Sequence, residues 1–472
     1  MNSRKIFSLL LVMSLFVSVL AACSGGNNKT NEGSNSKAAT NKPTEDTSKV
    51  EETPSWQTEK FTLKFASWED PKMEGEMMKA FMAKYPNITV EKDETINWPW
   101  TDALTAAASA SKLPDVFWLE NVPVGVENEW LLDLTPYWDQ DEETQAIYPN
   151  IAKQAVYGGK RLASPTFQFI MGVYVNKTLL EKNNIPLPGY DWTITEMIDI
   201  AKKVSKPSEH IYGISGPWGN LSFNEHWPMA NDGALGYNTF DGEKFHFTNQ
   251  QWIDGYNQQL ELRRLKVEEK MTGEEKTKVF GEEGAWPLQK GHVALGIDGS
   301  WNMNSLPPEM EKSGAGTVDF YPYPAGNAGQ KMPVVLDYIG VSSTTKYPEA
   351  AYELMKFMSW SKDGWLKRLE LNKELNINID KFPVADFPEV WEKLTGELKL
   401  DGAKAAVALL GDAVPDYNKV LPGWREFSAW ATDEQKIYEK FTSGELKPAD
   451  KAQEMEDKAN EFVGQALQRL NQ

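Results

Sequence analysis

A strand, a helix and a second strand open the folded part of this chain, and this order constrains the fold more than any other feature. Residues 61–67 (FTLKFAS) alternate between apolar and polar side chains, as strands do. Residues 72–84 carry apolar side chains at helical spacing, and Pro86 ends that helix. Residues 88–91 form the next strand. A strand–helix–strand unit of this kind predicts a parallel sheet in an α/β fold.

Two long apolar runs, at 168–176 and 334–342, predict strands that cross between two α/β blocks, and a third crossing is expected near 378–387. The cleft between two such lobes is a common place for a ligand. The chain is long enough for two lobes that each have a core. The expected boundaries are 56–166 with 340–385 for the N-terminal lobe, and 167–339 with 386–472 for the C-terminal lobe.

Charge and cysteine content exclude several classes of function. The net charge of −19 argues against nucleic acid, which needs a basic surface. Cys23 is the only cysteine, so no intramolecular disulfide is possible, and with four histidines we expect no metal site. The patterns G-x-S-x-G, H-E-x-x-H and G-x-x-x-x-G-K are absent from the sequence. We therefore expect neither catalysis nor a cofactor.

The N-terminus predicts export and a lipid anchor. Residues 1–22 have a basic start and a mostly apolar run that is too short to span a bilayer comfortably, which is typical of a signal peptide. Leu-Ala-Ala-Cys at 20–23 resembles the lipobox of bacterial lipoproteins, in which the cysteine, here Cys23, is diacylated and becomes the first residue. The alternative is a signal sequence followed by a chance cysteine.

Residues 23–55 read as the lipidated cysteine and a flexible tether. The segment is rich in Ser, Asn, Gly, Thr, Lys and Glu, and such a composition cannot bury enough surface to fold. As a random coil it would reach roughly 30 Å. Two lipid chains would hold it stably, so we expect the protein on the outer face of the cell membrane, as a lipoprotein of the Gram-positive type.

Residues 291–301 (GHVALGIDGSW) predict a strand that carries an aromatic side chain to the edge of a sheet. Large apolar side chains alternate with Ala and Gly at 293–297, as in a strand buried on both faces, and a turn is expected at 298–300. Ligands sit at the carboxyl ends of strands in open α/β sheets. Trp301 follows that end, and its indole offers a flat apolar face and one N–H donor to a sugar ring. A core tryptophan after a tight turn is the alternative.

Several segments, taken in order, resemble the extracellular solute-binding proteins of bacterial ABC sugar importers. They are LAAC at 20–23, WED at 68–70, LPDV at 113–116, VYVNK at 173–177, the segment 291–301, and GVS with PEAAYEL at 340–354. Residues 220–233 also resemble the maltose-type members. The resemblance implies a periplasmic-binding-protein-like fold, in which two lobes close on a ligand about a hinge, and a membrane permease as partner.

A sugar site needs aromatic faces for the C–H side of the ring and charged or amide groups for the hydroxyls. The candidates lie at strand ends, at lobe junctions or in the C-terminal part. They are Trp68, Asp70, Trp118, Glu120, Phe167, Gln168, Trp227, Trp301, Asp337, Tyr338 and Trp424. Packing roles remain open for Trp118, Trp227 and Trp424, and Asp298 is as good a turn former as a ligand contact.

The favoured hypothesis is a monomeric, lipid-anchored receptor that captures an oligosaccharide and delivers it to the permease subunits of an ABC transporter. Two alternatives stay open at this point. One is a binding lipoprotein for a non-sugar solute, or a sensor that feeds a signalling kinase. The other is a glycan-active enzyme on a similar tether, which would need two facing carboxylates.

Overall fold

The computed structural model describes residues 54–216 and 220–470. The signal peptide predicted at 1–22, the lipidated Cys23 and all but the last two residues of the predicted tether lie outside the described residues. Within the described residues, no helix combines the length and the apolar character that crossing a membrane requires.

The strands fall into a large mixed sheet and a small hairpin. In chain order they are β1 Phe61–Ala66, β2 Ile88–Lys92, β3 Val116–Leu119, β4 Val156–Tyr157, β5 Lys160–Arg161, β6 Ser164–Asn176, β7 Tyr212–Ser215, β8 Val293–Gly299, β9 Val318–Tyr321, β10 Met332–Val341, β11 Phe382–Pro383 and β12 Ala413–Pro415.

The helices separate the strands and dominate the C-terminal part. They are α1 Pro71–Lys84, α2 Trp100–Ser109, α3 Val122–Glu127, α4 Thr135–Trp138, α5 Pro149–Ala152, α6 Lys177–Lys182, α7 Ile194–Val204, α8 Phe223–Asn231, α9 Gln250–Arg264, α10 Gly273–Phe280, α11 Leu306–Ser313, α12 Pro348–Ser359, α13 Lys362–Glu374, α14 Pro388–Glu397, α15 Asp401–Val407, α16 Trp424–Ala429, α17 Ile437–Ser443 and α18 Pro448–Leu470.

The opening unit is as the sequence predicts. β1 pairs in parallel with β2 on one side and with β3 on the other. Helix α1 covers these strands, and Asp70 caps its first turn by accepting hydrogen bonds from the backbone N–H groups of Lys72 and Met73. The parallel β1–β2–β3 arrangement brings the carboxyl ends of these strands to one edge of the sheet, where the residues that follow β1 and β3 meet.

Strand β6 is the long crossing strand that the apolar run predicts. Its first half pairs antiparallel with β10 and β11, and its second half pairs antiparallel with β8 and β9. The other end of β10 pairs with β3, so the path through the sheet is β2-β1-β3-β10-β6-β8-β7. Every residue of β6 is buried. The two lobes therefore share one continuous set of strands, and the fold is the two-lobed α/β fold that the sequence predicts.

Three element boundaries differ from those expected from the sequence. The run before the second helix is not all loop, because Trp100 begins α2 and is buried with its indole N–H donating to the Trp118 carbonyl at 2.8 Å. Helix α8 begins at Phe223 rather than at Trp227, which places Trp227 in its second turn. The predicted turn at 298–300 also begins later, since β8 stays paired with β6 through Gly299.

Helix α7 begins at a capping box. The Thr193 hydroxyl accepts a hydrogen bond from the backbone N–H of Glu196 at 3.2 Å, and the Glu196 carboxylate accepts one from the backbone N–H of Thr193 at 2.7 Å. Two backbone donors at the helix start are thereby satisfied. The apolar side of α7 packs in a buried cluster with β7 and β8.

Replacing Thr193 with Ala is expected to lower the free energy of unfolding by about 1 kcal/mol, because the helix loses its cap. Thr193→Ser keeps a hydroxyl and is the matched control, with a change of only a few tenths of a kcal/mol expected. Urea denaturation followed by circular dichroism measures both. Equal losses in the two variants would show that the hydroxyl does not act as the cap.

Candidate functional site

A cavity of about 690 Å³ lies where the ends of β1 and β3 meet the crossing strands. Its lining includes residues that follow β1 and β2 and residues at the end of β3. It also includes the start of α8 and Trp301, which follows β8. Strands β6 and β10 and the segments 380–381 and 416–419 complete the wall. Six residues predicted from the sequence line it: Trp68, Asp70, Trp118, Glu120, Trp301 and Asp337.

Tryptophan side chains cover one wall of the cavity. The ring of Trp68 lies 4.9 Å from that of Trp118 and 5.1 Å from that of Trp100, both edge to face. Trp98 lies 5.9 Å from Trp68 and is 60% exposed. Trp301 also lines the cavity and packs edge to face against Phe169 at 5.9 Å. Packed indole rings with an exposed face form a rigid apolar platform.

A hydrogen-bonded acid on β10 ties this platform to the segment 416–419. The indole N–H of Trp68 donates to Asp337 Oδ2 at 3.3 Å, and the other oxygen of Asp337 pairs with the ammonium of Lys419. Burial opposes the charge of Lys419, but the carboxylates of Asp337 and Asp416 outweigh it and raise the pKa of Lys419. Lys419 therefore remains charged in the wall of the cavity, where it can donate to a ligand.

A buried ion cluster lies beneath the cavity. Glu69 accepts a hydrogen bond from Arg368 at 2.8 Å through one carboxylate oxygen and pairs with Lys381 through the other. Burial by itself would raise the pKa of Glu69, but the two cations outweigh it and hold that pKa at about 2. The same two cations lie over the ring of Phe167, at 4.6 and 5.2 Å from its centre. This cluster fixes the loop after β1 against the segment that carries Asp380 and Lys381.

Two further acids line the end of the cavity nearest α8. Glu225 lies in the first turn of α8, and Asp416 accepts a hydrogen bond from the backbone N–H of Leu336 at 3.1 Å. Burial raises the pKa of Glu225 to about 7, and the neighbouring Asp416 adds to the shift. Burial likewise raises the pKa of Asp416 to about 6, with Lys419 opposing the shift and Asp337 adding to it. Both acids share this corner with His226 and Tyr237.

Three predicted residues on the crossing strands lie in the core rather than in the cavity wall. Phe167 is covered by Trp118 and Trp365, whose ring centres lie 5.8 and 5.6 Å away. Gln168 is fully buried and donates to the Pro383 carbonyl at 2.6 Å. Tyr338 follows Asp337 on β10 and faces the other side of the sheet, because successive side chains of a strand alternate.

Two predicted tryptophans also lie outside the cavity wall. Trp227 packs against Phe223, with ring centres 5.8 Å apart. Trp424 belongs to an aromatic cluster, in which it stacks on Phe245 at 5.0 Å and meets Tyr417 edge to face at 5.1 Å. Both side chains support the elements that carry cavity residues.

Eleven residues that line the cavity with polar, charged or aromatic groups were not predicted from the sequence. They are Trp98, Phe169, Ser222, Glu225, His226, Tyr237, Asp380, Lys381, Asp416, Asn418 and Lys419. The Trp-Pro-Trp sequence at 98–100 was a signal for the first of them. In α8 the signal pointed to Trp227, but each helical residue turns the side chain by about 100°, so the two preceding residues face the cavity instead.

A second cavity of about 500 Å³ shares Trp301 with the first. It is lined by Asp298, Trp286 and residues near the ends of β7 and β8. Asp298 accepts hydrogen bonds from the backbone N–H of Gly299 at 2.7 Å and from the Asn302 side chain at 3.0 Å. Burial raises the pKa of Asp298 to about 6. The residue thus both shapes the end of β8 and faces open space.

Comparison with known proteins agrees with this geometry. A family model described as "Bacterial extracellular solute-binding protein" matches residues 66–361. Comparison with curated protein sequences gives no significant match.

Solved structures with a similar fold include an ABC substrate-binding protein and two other proteins that bind sugars. An ABC substrate-binding protein from Listeria monocytogenes in complex with cycloalternan aligns over 86% of this chain and 100% of its own, with a TM-score of 0.68 and 21% identity. The cyclic alpha-maltosyl-1,6-maltose binding protein from Arthrobacter globiformis aligns over 86% and 100%, with a TM-score of 0.65 and 17% identity. The sugar-binding protein MalE from Xanthomonas citri aligns over 87% of this chain and 100% of its own, with a TM-score of 0.64 and 16% identity.

Replacing Glu69 with Gln is expected to lower the free energy of unfolding at pH 7 by about 3–5 kcal/mol, because Arg368 and Lys381 lose their buried partner. The pKa of Glu69 is about 2 in the folded protein and 4.5 ordinarily. Its ionised form therefore stabilises the fold fully above pH 4.5, and this contribution is lost as the pH falls towards 2.

Urea denaturation between pH 7 and pH 3 measures the effect, and the gap between the wild type and Glu69→Gln should narrow below pH 4.5. Glu76→Gln on helix α1 is the control, since Glu76 forms only a partly exposed pair with Lys79, and a change within about 0.5 kcal/mol is expected. A gap that stays constant over this pH range would contradict the assigned ionisation.

Proposed function

This chain belongs to the bacterial extracellular solute-binding proteins, and from that premise we propose that it is a lipid-anchored receptor that captures an oligosaccharide and delivers it to an ABC permease. One observation carries the proposal. The indole rings of Trp68, Trp98, Trp118 and Trp301 line one cavity together with several carboxylates that can accept hydrogen bonds.

The side chains of the cavity suit a sugar. Indole faces pack against the C–H surface of a sugar ring, and the indole N–H groups and carboxylates reach its hydroxyls. The indole N–H of Trp118 is buried and has no hydrogen-bond partner among the described residues. Hydrogen bonds to charged groups are the stronger ones, so Asp70, Glu120 and Lys419 are proposed to orient the ring.

The cavity volume favours an oligosaccharide over a single sugar. The compartment of about 690 Å³ and a second one of about 500 Å³ are both lined by Trp301, so the proposed sugar chain extends past this indole from one compartment into the other. Two of the compared proteins bind oligosaccharides, namely cycloalternan and cyclic alpha-maltosyl-1,6-maltose. The proposed ligand belongs to the same broad class.

Hinge closure is the proposed mechanism of capture. Residues of both lobes line the cavity, while β6, β10 and the segment that contains β11 connect the lobes. A ligand that contacts both walls makes more contacts when the lobes are closed, and this difference in affinity shifts the equilibrium towards the closed form. In this proposal the lobes are 56–166 with 340–385, and 167–339 with 386–472, and the protein binds without catalysing a reaction.

Membrane attachment through Cys23 completes the proposal. The protein would act as a monomer on the outer face of the cell membrane, tethered by residues 23–55. Capture would take place outside the cell, and the closed form would then dock on the permease subunits. The single lipidated residue provides two acyl chains, which suffice for stable anchoring.

The receptor function is tested by a thermal-shift screen of residues 54–472 against plant and microbial oligosaccharides. A ligand that binds only the folded state adds about 2.7 kcal/mol at a hundred times its Kd. Trp301→Ala should weaken binding of the ligand found in the screen by about 30-fold, which corresponds to the roughly 2 kcal/mol of a buried aromatic anchor.

Trp56→Ala is the matched control for the loss of an indole. Trp56 packs on Tyr85 with ring centres 5.5 Å apart and does not line the cavity. The melting temperature should fall without a change in Kd. If no oligosaccharide shifts the melting temperature, or if both variants bind as the wild type does, the proposed site is refuted.

Anchoring is tested by Cys23→Ser in the native host. The variant should lose labelling by palmitate and appear in the culture medium, because no acyl chains hold it to the membrane. Ser24→Ala, which keeps the cysteine, is the control and should remain in the membrane fraction. Membrane retention of Cys23→Ser after a carbonate wash would show that another feature attaches the protein.

A further inference from the structure

The cavity carries more negative than positive groups. Six carboxylates line it, namely those of Asp70, Glu120, Glu225, Asp337, Asp380 and Asp416. The cations that line it are Lys381 and Lys419, and each already forms an ion pair, with Glu69 and with Asp337 respectively. His226 does not contribute a charge, because burial lowers its pKa to about 3. A ligand therefore meets a surface with excess negative charge.

The excess is concentrated at the corner formed by Glu225 and Asp416. Within residues 54–216 and 220–470, no lysine or arginine forms an ion pair with either carboxylate; the ammonium of Lys419 acts on Asp416 from a longer distance. The two acids affect each other, and Asp337 adds to the repulsion on Asp416. When a carboxylate is removed from water and gains no cationic partner, its ionised form is destabilised. The raised pKa values of both acids are consistent with this surplus.

Two polar atoms without partners lie at the same corner. The hydroxyl of Tyr237 and Nδ1 of His226 have no hydrogen-bond partner among the described residues, although these residues are only 3% and 1% exposed. Their rings meet edge to face at 5.1 Å, and both line the cavity. A buried polar atom without a partner is costly, so this corner is built to receive a polar group from a ligand.

We propose that the oligosaccharide carries a protonated amine, which Glu225 and Asp416 bind while the Tyr237 hydroxyl or ring contacts it. This inference rests on the proposed function and narrows the substrate class to oligosaccharides with free amino groups. An ammonium group offers three donors and a positive charge, which match two carboxylates and an aromatic ring. A metal ion fits less well, since no group of three or more His, Cys, Asp or Glu side chains in the described part of the chain is arranged to hold one.

The test compares glucosamine oligosaccharides with their N-acetylated counterparts of equal length, by isothermal titration calorimetry at pH 6.5. The two series share a backbone and differ in whether the amino group can carry a charge. The amine form should bind at least about tenfold more tightly, as expected for a charge-assisted contact in a partly buried site. Glu225→Gln should abolish this preference, because it weakens the amine form more than the acetylated form.

Proton exchange provides a second measurement. An ammonium group beside Glu225 favours the ionised form of this carboxyl, whose pKa is about 7 without a ligand. Binding at pH 5, where the amine of the ligand is already protonated, should therefore release protons. Titrations in buffers with different ionisation enthalpies measure that release, and the acetylated form should release fewer. Glu311→Gln, an exposed acid on α11, is the control and should change neither result.

The possible outcomes separate this inference from the proposed function. If the acetylated form or another neutral oligosaccharide binds as tightly as the amine, or if Glu225→Gln weakens both equally, the amine assignment is overturned and the sugar receptor stands. If no oligosaccharide of any class binds to a wild-type protein with a normal melting transition, the proposed function itself fails. Asp416→Asn repeats the test at the second acid if Glu225→Gln does not fold.

Discussion

The antiparallel register between β6 and β10 is the constraint on which the cleft depends. Phe169 lies opposite Val335 in this pairing, and both side chains face the cavity. A shift of one residue would turn both away and bring buried neighbours such as Gln168 into the opening. The same strand β6 then continues into the other half of the sheet, where it pairs with β8. One register thus sets the wall of the cleft and the connection between the lobes.

Polar contacts between the loops at the strand ends also fix the position of the cavity residues. Glu69 pairs with two buried cations, Arg368 and Lys381. The residue before Lys381 is Asp380, and its backbone carbonyl accepts a hydrogen bond from the Ser300 hydroxyl at 2.7 Å. The loop after β1 and the turn that carries Trp301 are therefore joined through one short segment. Polar contacts at this depth fix positions because breaking them leaves unpaired buried groups.

The sequence predicted those strands and helices whose apolar side chains follow a regular spacing. Alternation, apolar runs and helical spacing predicted β1, α1, β6 and β8, because these patterns are local consequences of burial. The aromatic residues at strand ends were found by the same reasoning, since strand ends converge on one edge of a sheet. What the sequence could not give is which face of a long strand is covered by another element. Phe167 shares the orientation of Phe169, but Trp118 and Trp365 cover it.

Residues from the C-terminal part that reach the cleft had no local signal at all. The family match ends at residue 361, yet Asp380, Lys381, Asp416 and Lys419 all line the cavity from beyond it. These side chains are carried on connecting segments outside the regular strands and helices rather than on the shared sheet. Substitutions there can change the charge of the binding surface without disturbing the register of β6 and β10. The sheet register and the charge of the binding surface are therefore set by different parts of the chain. A few substitutions in the connecting segments can change which ligand is bound while the fold stays the same.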